Sequence, residues 1–258
     1  MPKMPVLIPN LLSAALLCVL LPLQAAAEGR EPAPFTNLQV LPPEIERLEL
    51  FGIMRGFTEA LGVRCEHCHV QDGAEPLPNF DFADDSKAAK ETTRRMMRMV
   101  EALNATHLSE LPTTVPGHAV RLSCATCHRG GTRPAQLRQV LQETLAARGL
   151  DEALAQYRRL RQEWWGRGRY DFGEPVLIRL AQGIRQERPD AALAFLELSL
   201  EFFPDSAMTH FRRGEIAEEL GQRDKALESY RRALDIQPGN PDIAQRIRTL
   251  EGGNSDRQ

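Results

Sequence analysis

Cysteine is scarce in this chain, and so are the side chains that usually build aromatic-rich cores. The 258 residues include 5 Cys, 2 Trp and 3 Tyr, and aromatic residues make up only 6%. An excess of one charge is also missing, because 32 Lys and Arg face 35 Asp and Glu, which argues against a nucleic-acid binder. Strand-like alternation is nearly absent, whereas the helix-favouring residues Leu, Ala, Glu, Arg and Gln are abundant. The sequence therefore predicts an all-α protein.

The chain contains one apolar run, and it lies at the amino terminus. The run from Leu11 to Leu23 is short for a membrane span, which needs ~20 apolar residues. Lys3 precedes it, and Ala25-Ala26-Ala27 fits the small-residue rule for signal cleavage. We therefore expect a signal peptide over residues 1–27, cleaved after about Ala27, and a periplasmic mature protein. Cys18 would leave with that peptide. The alternative, a lipoprotein anchor at Cys18, is disfavoured because the preceding residue is not small.

The remaining four cysteines form two copies of one motif, C-x-x-C-H, at Cys65–His69 and Cys124–His128. This motif is the attachment sequence for a c-type haem. Its two thiols bond to the two vinyl groups of the porphyrin, and the adjacent imidazole binds the iron. We therefore predict two covalent haems, held by Cys65 and Cys68 and by Cys124 and Cys127, with His69 and His128 as iron ligands.

Two other chemistries use paired cysteines, and both fit this sequence less well. A four-cysteine zinc site requires both pairs to converge on one metal and has no need of the adjacent histidines. A redox dithiol normally opens a helix in a βαβ unit, and no such pattern occurs here. With all four mature cysteines used in the motifs, no disulfide is expected.

Helical periodicity precedes the first motif. Apolar residues at helical spacing predict a helix from near Pro43 to about Leu61, ended by Gly62. Met54 lies on this helix, and a thioether is a common sixth ligand in haem electron carriers. From spacing alone, Met54 is either that ligand or an ordinary core residue.

A second helix is expected from about Lys87 to Leu103, between two loops that cover residues 70–85 and 105–123. It carries Met96, Met97 and Met99, any one of which is a candidate ligand for the second haem or a core residue. The arginines beside them, Arg94, Arg95 and Arg98, are expected to be solvated or paired with haem propionates. His107 and His118 are less favoured as ligands than as surface residues.

Three segments of this region resemble the cytochrome c subunit family of photosynthetic reaction centres over residues 45 to 132: FTEALGVRCEHCHV, NFDFADDSKAAKETTRRMMRMVEALN and LSCATCHRG. In that family a helix carrying the Met ligand comes before each C-x-x-C-H. The resemblance implies that Met54 and Met96 are the sixth ligands, with Met97 and Met99 as alternatives for the second. The family subunit has four haems in two pairs and this chain has one pair, so it resembles a dihaem relative.

The carboxyl-terminal part shows an internal repeat. Ala192 and Ala226 lie 34 residues apart, as do Pro204 and Pro238, and this is the tetratricopeptide (TPR) period. Helices are expected over Gln136–Arg148, over Asp151–Trp165 and near Ile243–Leu250, and they would cap a stack of two units. Such stacks usually bind partner proteins. The alternative is that this stack packs over the haem domain or mediates self-association.

These observations combine into an all-α dihaem c-type cytochrome followed by a short helical-repeat (TPR-like) domain. We expect it to carry single electrons between donor and acceptor proteins, docked through the repeats, without acting as an enzyme; a peripheral membrane association is left open. The alternative is a dihaem peroxidase-type enzyme or a haem-based sensor, either of which needs an open sixth iron position. The predicted segments are a signal peptide (1–27), an extended arm (28–43), a dihaem domain (44–133), linking helices (134–172), repeats (173–252) and a tail (253–258).

Overall fold

The computed structural model describes residues 35–72, 79–112 and 118–252. The chain divides into two units, Met1–Ile45 and Glu46–Gln258. In the first, residues 35–45 form bends and turns, one of them closed by the Ile45 N–H, which donates to the Pro42 carbonyl at 3.2 Å. The signal peptide, its cleavage site, Cys18 and the tail lie outside the described residues, so those predictions stay predictions.

The amino-terminal part of the second unit contains both C-x-x-C-H motifs on short elements between longer helices. Its regular elements are α1 (Arg47–Leu61), a 3₁₀ turn (Cys65–His67), β1 (Val70–Asp72), β2 (Asn79–Asp81), α2 (Ala88–Ala102), a π-helical turn (Leu103–Leu108) and α3 (Cys124–His128). Gly62 ends α1 as expected, with a left-handed φ of 63° that lets its N–H donate to the Thr58 carbonyl.

Three expectations for this region need correction. Helix α1 begins at Arg47 and not near Pro43, because residues 42–45 form a turn first. Within the expected loop of residues 70–85, β1 and β2 pair antiparallel, with Gln71 opposite Phe80. The chain after α2 continues as the π-helical turn, where a loop was expected to start at residue 105.

The remainder of the unit is a series of antiparallel helix pairs. They are α4 (Leu137–Arg148) with α5 (Leu150–Trp164), α6 (Pro175–Ile184) with α7 (Pro189–Phe202), and α8 (Ala207–Glu219) with α9 (Arg223–Ile236), followed by α10 (Pro241–Gly252). The helices expected over 136–148 and 151–165 are confirmed within one residue at each end. They share one hydrophobic core with α6 and α7, in which Leu141, Ala153 and Tyr157 are fully buried.

The packing of α8 on α9 explains two residues of the second unit, Gly214 and Tyr230, and the helix ends explain the prolines that recur 34 positions apart. Gly214 on α8 lies so close to the Tyr230 ring on α9 that a Cβ would approach ring atoms to 2.5 Å. The Tyr230 hydroxyl donates to Glu218 at 2.9 Å, which satisfies a polar group at the edge of a buried ring. Pro204 and Pro238 follow the ends of α7 and α9 and prevent either helix from continuing.

No helix among the described residues is both long and apolar enough to cross a membrane.

Candidate haem-binding site

The first motif forms a 3₁₀ turn whose reactive groups lie near the surface. Cys65 is exposed, while Cys68 and His69 are half-buried. The imidazole of His69 meets the edge of Phe82 with ring centroids 5.0 Å apart. Its Nδ1 is buried and has no hydrogen-bond partner among the described residues. A cavity of about 400 Å³ opens beside Cys65 and is bordered by residues that include Thr58 and Phe80.

Helix α2 holds this first motif, although along the chain it leads to the second. Lys87, just before α2, donates from Nζ to the Glu66 carbonyl, and six residues further along a side-chain hydrogen bond joins Thr93 to Cys68. Burial raises the pKa of the Cys68 thiol, and the Thr93 contact opposes that change. The thiol is therefore held in place by a helix that is distant in sequence.

A cluster of buried charges lies on α2 behind His69. The Lys90 ammonium reaches the carbonyl oxygens of Phe82, Ala83 and Asp84 at 2.7–3.1 Å and the Asp85 carboxylate at 2.8 Å. Arg94 also pairs with Asp85, at 2.9 Å. The expectation that Arg94 is solvated is therefore wrong, and its pairing with a haem propionate stays a prediction. Burial lowers the pKa of His69, and the cations on α2 lower it further.

The second motif is more regular, since Cys124–His128 form a full helical turn. Ser123 caps this turn in a reciprocal arrangement with Thr126, whose hydroxyl accepts the Ser123 N–H at 3.0 Å. The His128 Nδ1 lies 2.9 Å from the Gly131 carbonyl, which can only accept a hydrogen bond. The proton must therefore be on Nδ1, and this leaves Nε2 as a free lone pair for iron.

Two further contacts position the second motif. The Asn104 amide, in the π-helical turn, donates to the Leu122 carbonyl at 2.9 Å and accepts the Leu122 N–H at 2.7 Å. At the other end, the Gly130 N–H donates to the Ala60 carbonyl of α1 at 2.9 Å. Gly62 lies against the same turn, so that a Cβ there would overlap the Gly130 carbonyl oxygen.

These contacts give the two motifs a reciprocal arrangement. Helix α1, which leads into the first motif, packs with its carboxyl end against α3 and the second motif. Helix α2, which leads towards the second motif, holds the first. The two motifs therefore form one structural unit, because the helix that leads into each motif contacts the other motif.

The methionines proposed as sixth ligands lie on the expected helices. Met54 on α1 and Met97 on α2 are half-buried, whereas Met96 is 37% and Met99 46% exposed. The buried positions of α2 are Lys90 and Arg94. Assignment of Met54 and Met96 to iron therefore stays a prediction, with Met97 and Met99 as the alternatives. His107 and His118 are exposed.

The residues of this region fit a bulky apolar cofactor. Between Glu46 and Arg133, Ala60 is the one apolar side chain among the described residues that is buried. Large apolar groups stand exposed on the elements that carry or flank the motifs, including Leu48, Phe51 and Phe82. Among the described residues no three His, Cys, Asp or Glu side chains converge as metal ligands, and convergence is what a four-cysteine zinc site needs. A haem supplies its own metal and needs two thiols, an imidazole and apolar surface.

Comparison with known proteins agrees with both parts of the sequence interpretation. Residues 33–147 match the family model described as photosynthetic reaction centre cytochrome C subunit, and residues 207–240 match the tetratricopeptide repeat model. The photosynthetic reaction center cytochrome c subunit of Rubrivivax gelatinosus is 31% identical over 91 residues, which are 33% of this chain and 23% of that protein. The chain thus spans less than a quarter of that relative's length. The resemblance inferred from the motifs is confirmed for this part of the chain.

Among solved structures, the first TPR of Spaghetti (RPAP3) bound to the HSP90 peptide SRMEEVD has 17% sequence identity and a TM-score of 0.33. The match covers 46% of this chain and 90% of that one. The crystal structure of MamA gives 17% identity and a TM-score of 0.34, covering 46% of this chain and 67% of that one. The helical fold with TPR-like repeats is confirmed, on the family match and on the observed helix pairs.

Several residues that shape the site escaped the sequence interpretation. Lys90 donates to backbone carbonyls and forms an ion pair with Asp85. Neither residue belongs to a recognisable motif. Asn104 was not predicted, because its role depends on Leu122, which lies 18 positions further along the chain. Gly62 was predicted to end α1, but its contact with Gly130 depends on tertiary packing.

Proposed function

We propose that this chain is an exported dihaem c-type cytochrome that carries single electrons between protein partners in the periplasm. The observation that supports this best is His128, whose Nδ1 hydrogen bond to Gly131 leaves Nε2 directed for ligation next to two free thiols. The match of residues 33–147 to a cytochrome family model supports the same function independently.

Each motif would hold one haem with its own residues. Cys65 and Cys68 bind the first haem covalently, and His69 is its proximal ligand. The second haem is bound in the same way by Cys124 and Cys127, with His128 as ligand; Met54 and Met96 complete the two iron coordinations. When bound, haem supplies one-electron chemistry by cycling between ferric and ferrous iron. The protein's part is to set ligands, burial and nearby charge, and no side chain needs to act as acid, base or nucleophile.

The TPR-like helices would dock the redox partners. A TPR stack presents an extended helical surface that suits protein recognition, and the family match at residues 207–240 supports that use. Electron transfer requires that a partner stay near a haem edge. A docking module covalently joined to the haem region would raise the effective concentration of that partner.

The test is to mature the full chain with a c-type haem attachment system and to count its covalent haems by mass spectrometry. We expect two haems per chain, and one in each of the double variants Cys65→Ala/Cys68→Ala and Cys124→Ala/Cys127→Ala. Amino-terminal sequencing of periplasmic protein should begin at about Glu28. A chain with intact motifs but no covalent haem would refute the proposal.

Absorption spectra with and without carbon monoxide test the axial ligands. Two low-spin haems with the near-red Met–iron band and no carbon monoxide shift are expected. Met54→Ala and Met96→Ala should each open one iron to carbon monoxide, whereas Met208→Ala, an exposed Met on α8, should not. A high-spin haem that binds carbon monoxide in the unaltered protein would instead favour the peroxidase or sensor function.

A further inference from the structure

The segment between α5 and α6 lies directly behind the second C-x-x-C-H motif. Trp164, at the end of α5, packs on the glycine turn that follows the motif, with a ring carbon 3.3 Å from where a Gly130 Cβ would stand. Arg169 fills the space beside the next glycine so closely that a Cβ on Gly131 would overlap its guanidinium. The arginine can occupy this position only because residue 131 has no Cβ.

This contact reaches the predicted iron ligand through a single peptide group. The Gly131 carbonyl accepts the hydrogen bond from His128 Nδ1 at 2.9 Å. The Arg169 guanidinium thus touches the residue that sets the orientation and basicity of the imidazole. Groups that hydrogen-bond to a ligating histidine tune its metal even though they do not bind it.

Among the described residues, Arg169 forms no ion pair with a carboxylate. Its guanidinium lies over the ring of Trp164 at 4.8 Å and over the ring of Tyr170 at 5.0 Å. Its Nη1 is buried and has no hydrogen-bond partner among the described residues. At the first motif, by contrast, the buried cations Lys90 and Arg94 share the Asp85 carboxylate.

We propose that Arg169 is a positioning residue of the second haem site, which raises the reduction potential of that haem relative to the first. The inference rests on the proposed function and adds to it a residue that sets the reduction potential of one haem. An uncompensated positive charge near the iron disfavours the ferric state, which carries one more positive charge than the ferrous state. Arg169 acts through Gly131 and His128 and is not itself a ligand.

The same contact joins the linking helices to the second motif. Trp164 and Tyr170, which contact the guanidinium, also pack against the hydrophobic core of α4–α7. The segment between α5 and α6 therefore contributes to the second haem site. The cations that act on His69 in the first motif are Lys90 and Arg94 of α2 and Lys87, the residue before that helix.

The test is spectroelectrochemical titration of the matured two-haem protein. We expect Arg169→Gln to lower one midpoint potential and leave the other unchanged, with the Met–iron band intact. Arg169→Lys, which retains the charge, should stay close to the unaltered protein. Arg167→Gln is the matched control, because Arg167 is an exposed arginine of the same loop, and it should move neither potential.

Single-haem backgrounds identify which haem responds. Arg169→Gln should shift the potential in Cys65→Ala/Cys68→Ala, which keeps only the second haem, and not in Cys124→Ala/Cys127→Ala. Equal shifts at both haems, no shift at either, or loss of the second haem on substitution would overturn the inference. The haem count of the unaltered protein separates these results from failure of the proposed function, which would show as missing covalent haem.

Discussion

Lys90 brings one ammonium group into contact with three carbonyls and a carboxylate, at a position where a helix would ordinarily bury an apolar side chain. The carbonyls belong to residues 82–84, so this contact holds the chain after β2 against α2 and keeps Phe82 at the edge of His69. The side chain is 9% exposed, and a buried charge is tolerated only with partners of this kind.

Lys90→Met should therefore destabilise the matured protein by about 2–3 kcal/mol, because the three carbonyls lose a shared donor and Asp85 loses one of its cations. Denaturant unfolding followed at the haem absorption band measures this change. Arg95→Gln is the control, since Arg95 makes an exposed pair with Glu91, and it should cost less than about 0.5 kcal/mol. Equal stability of the two variants would contradict a structural role for the Lys90 cluster.

His210 on α8 makes stability depend on pH. Its Nε2–H donates to the Pro204 carbonyl at 3.0 Å, and burial lowers the pKa of the imidazole below its ordinary 6.5. The unfolded chain therefore takes up the proton first as the pH falls. The contribution of His210 to the unfolding free energy is complete above pH 6.5 and declines below it.

We expect His210→Gln to flatten this dependence, because a glutamine amide can keep the hydrogen bond and does not titrate. Urea unfolding at pH 7.5, 6.5 and 5.5, followed by circular dichroism, compares the two proteins. The difference between them isolates His210 from His69, which titrates in the same direction. Parallel pH profiles would show that folding does not lower the pKa of His210.

At the scale of elements, the contact between α1 and α3 joins the two attachment sites. This contact depends on Gly62 in two ways. The residue has a left-handed φ of 63°, and its missing Cβ leaves room for the Gly130 carbonyl. Neither requirement can be met by another residue without a shift of one element. This is why the turn after α1 and the turn after α3 both carry glycine.

Gly62→Ala should lower the thermal stability of the matured protein and loosen both haem sites. The left-handed backbone alone costs about 1–2 kcal/mol in any residue with a Cβ, and the overlap with Gly130 adds to that. Gly183→Ala is the control, because nothing lies within 4 Å of its Cβ position on α6 and alanine favours a helix. Unchanged melting of Gly62→Ala would mean that α1 and α3 do not need this contact.

The elements that the sequence predicted well are those with local causes. Helices α4 and α5 follow from periodicity, and α1 ends where Gly62 allows it. Strands β1 and β2 were missed because each has three residues and exists only through pairing with the other. The π-helical turn was missed because Asn104 stabilises it through Leu122, 18 positions further along the chain.

At the scale of the whole molecule, the distribution of buried side chains shows that the helical region and the region of the motifs are stabilised in different ways. Both hydrophobic clusters draw their members from between Leu137 and Ile247. In the region of the motifs, the buried residues of α2 are the charged Lys90 and Arg94, the buried residue of α1 is the small Ala60, and large apolar side chains lie at the surface. A covalent haem at each motif would supply the apolar core that these residues do not form among themselves.

A variant with all four motif cysteines changed to alanine should therefore lose order only in the haem region. Limited proteolysis should cut within residues 46–133 and leave a protected fragment that begins near Leu137, identified by mass spectrometry. The matured protein, treated in parallel, should resist cleavage in both regions. Equal resistance of the haem-free variant would mean that the haem region folds without its cofactor.

The sequence by itself determined the prediction of haem attachment and the 34-residue TPR period. Both are local, because haem attachment requires five consecutive residues and the TPR period requires only a regular spacing of small residues and prolines. The tertiary structure decided which helix supports which motif, which charges are buried, and that Arg169 lies behind His128. The contacts between the helices and the motifs join residues 21 to 70 positions apart, as in Lys87 with Glu66 and Gly130 with Ala60. The buried cations Lys90 and Arg94 find Asp85 only 5 and 9 positions away, but their burial depends on how α2 packs.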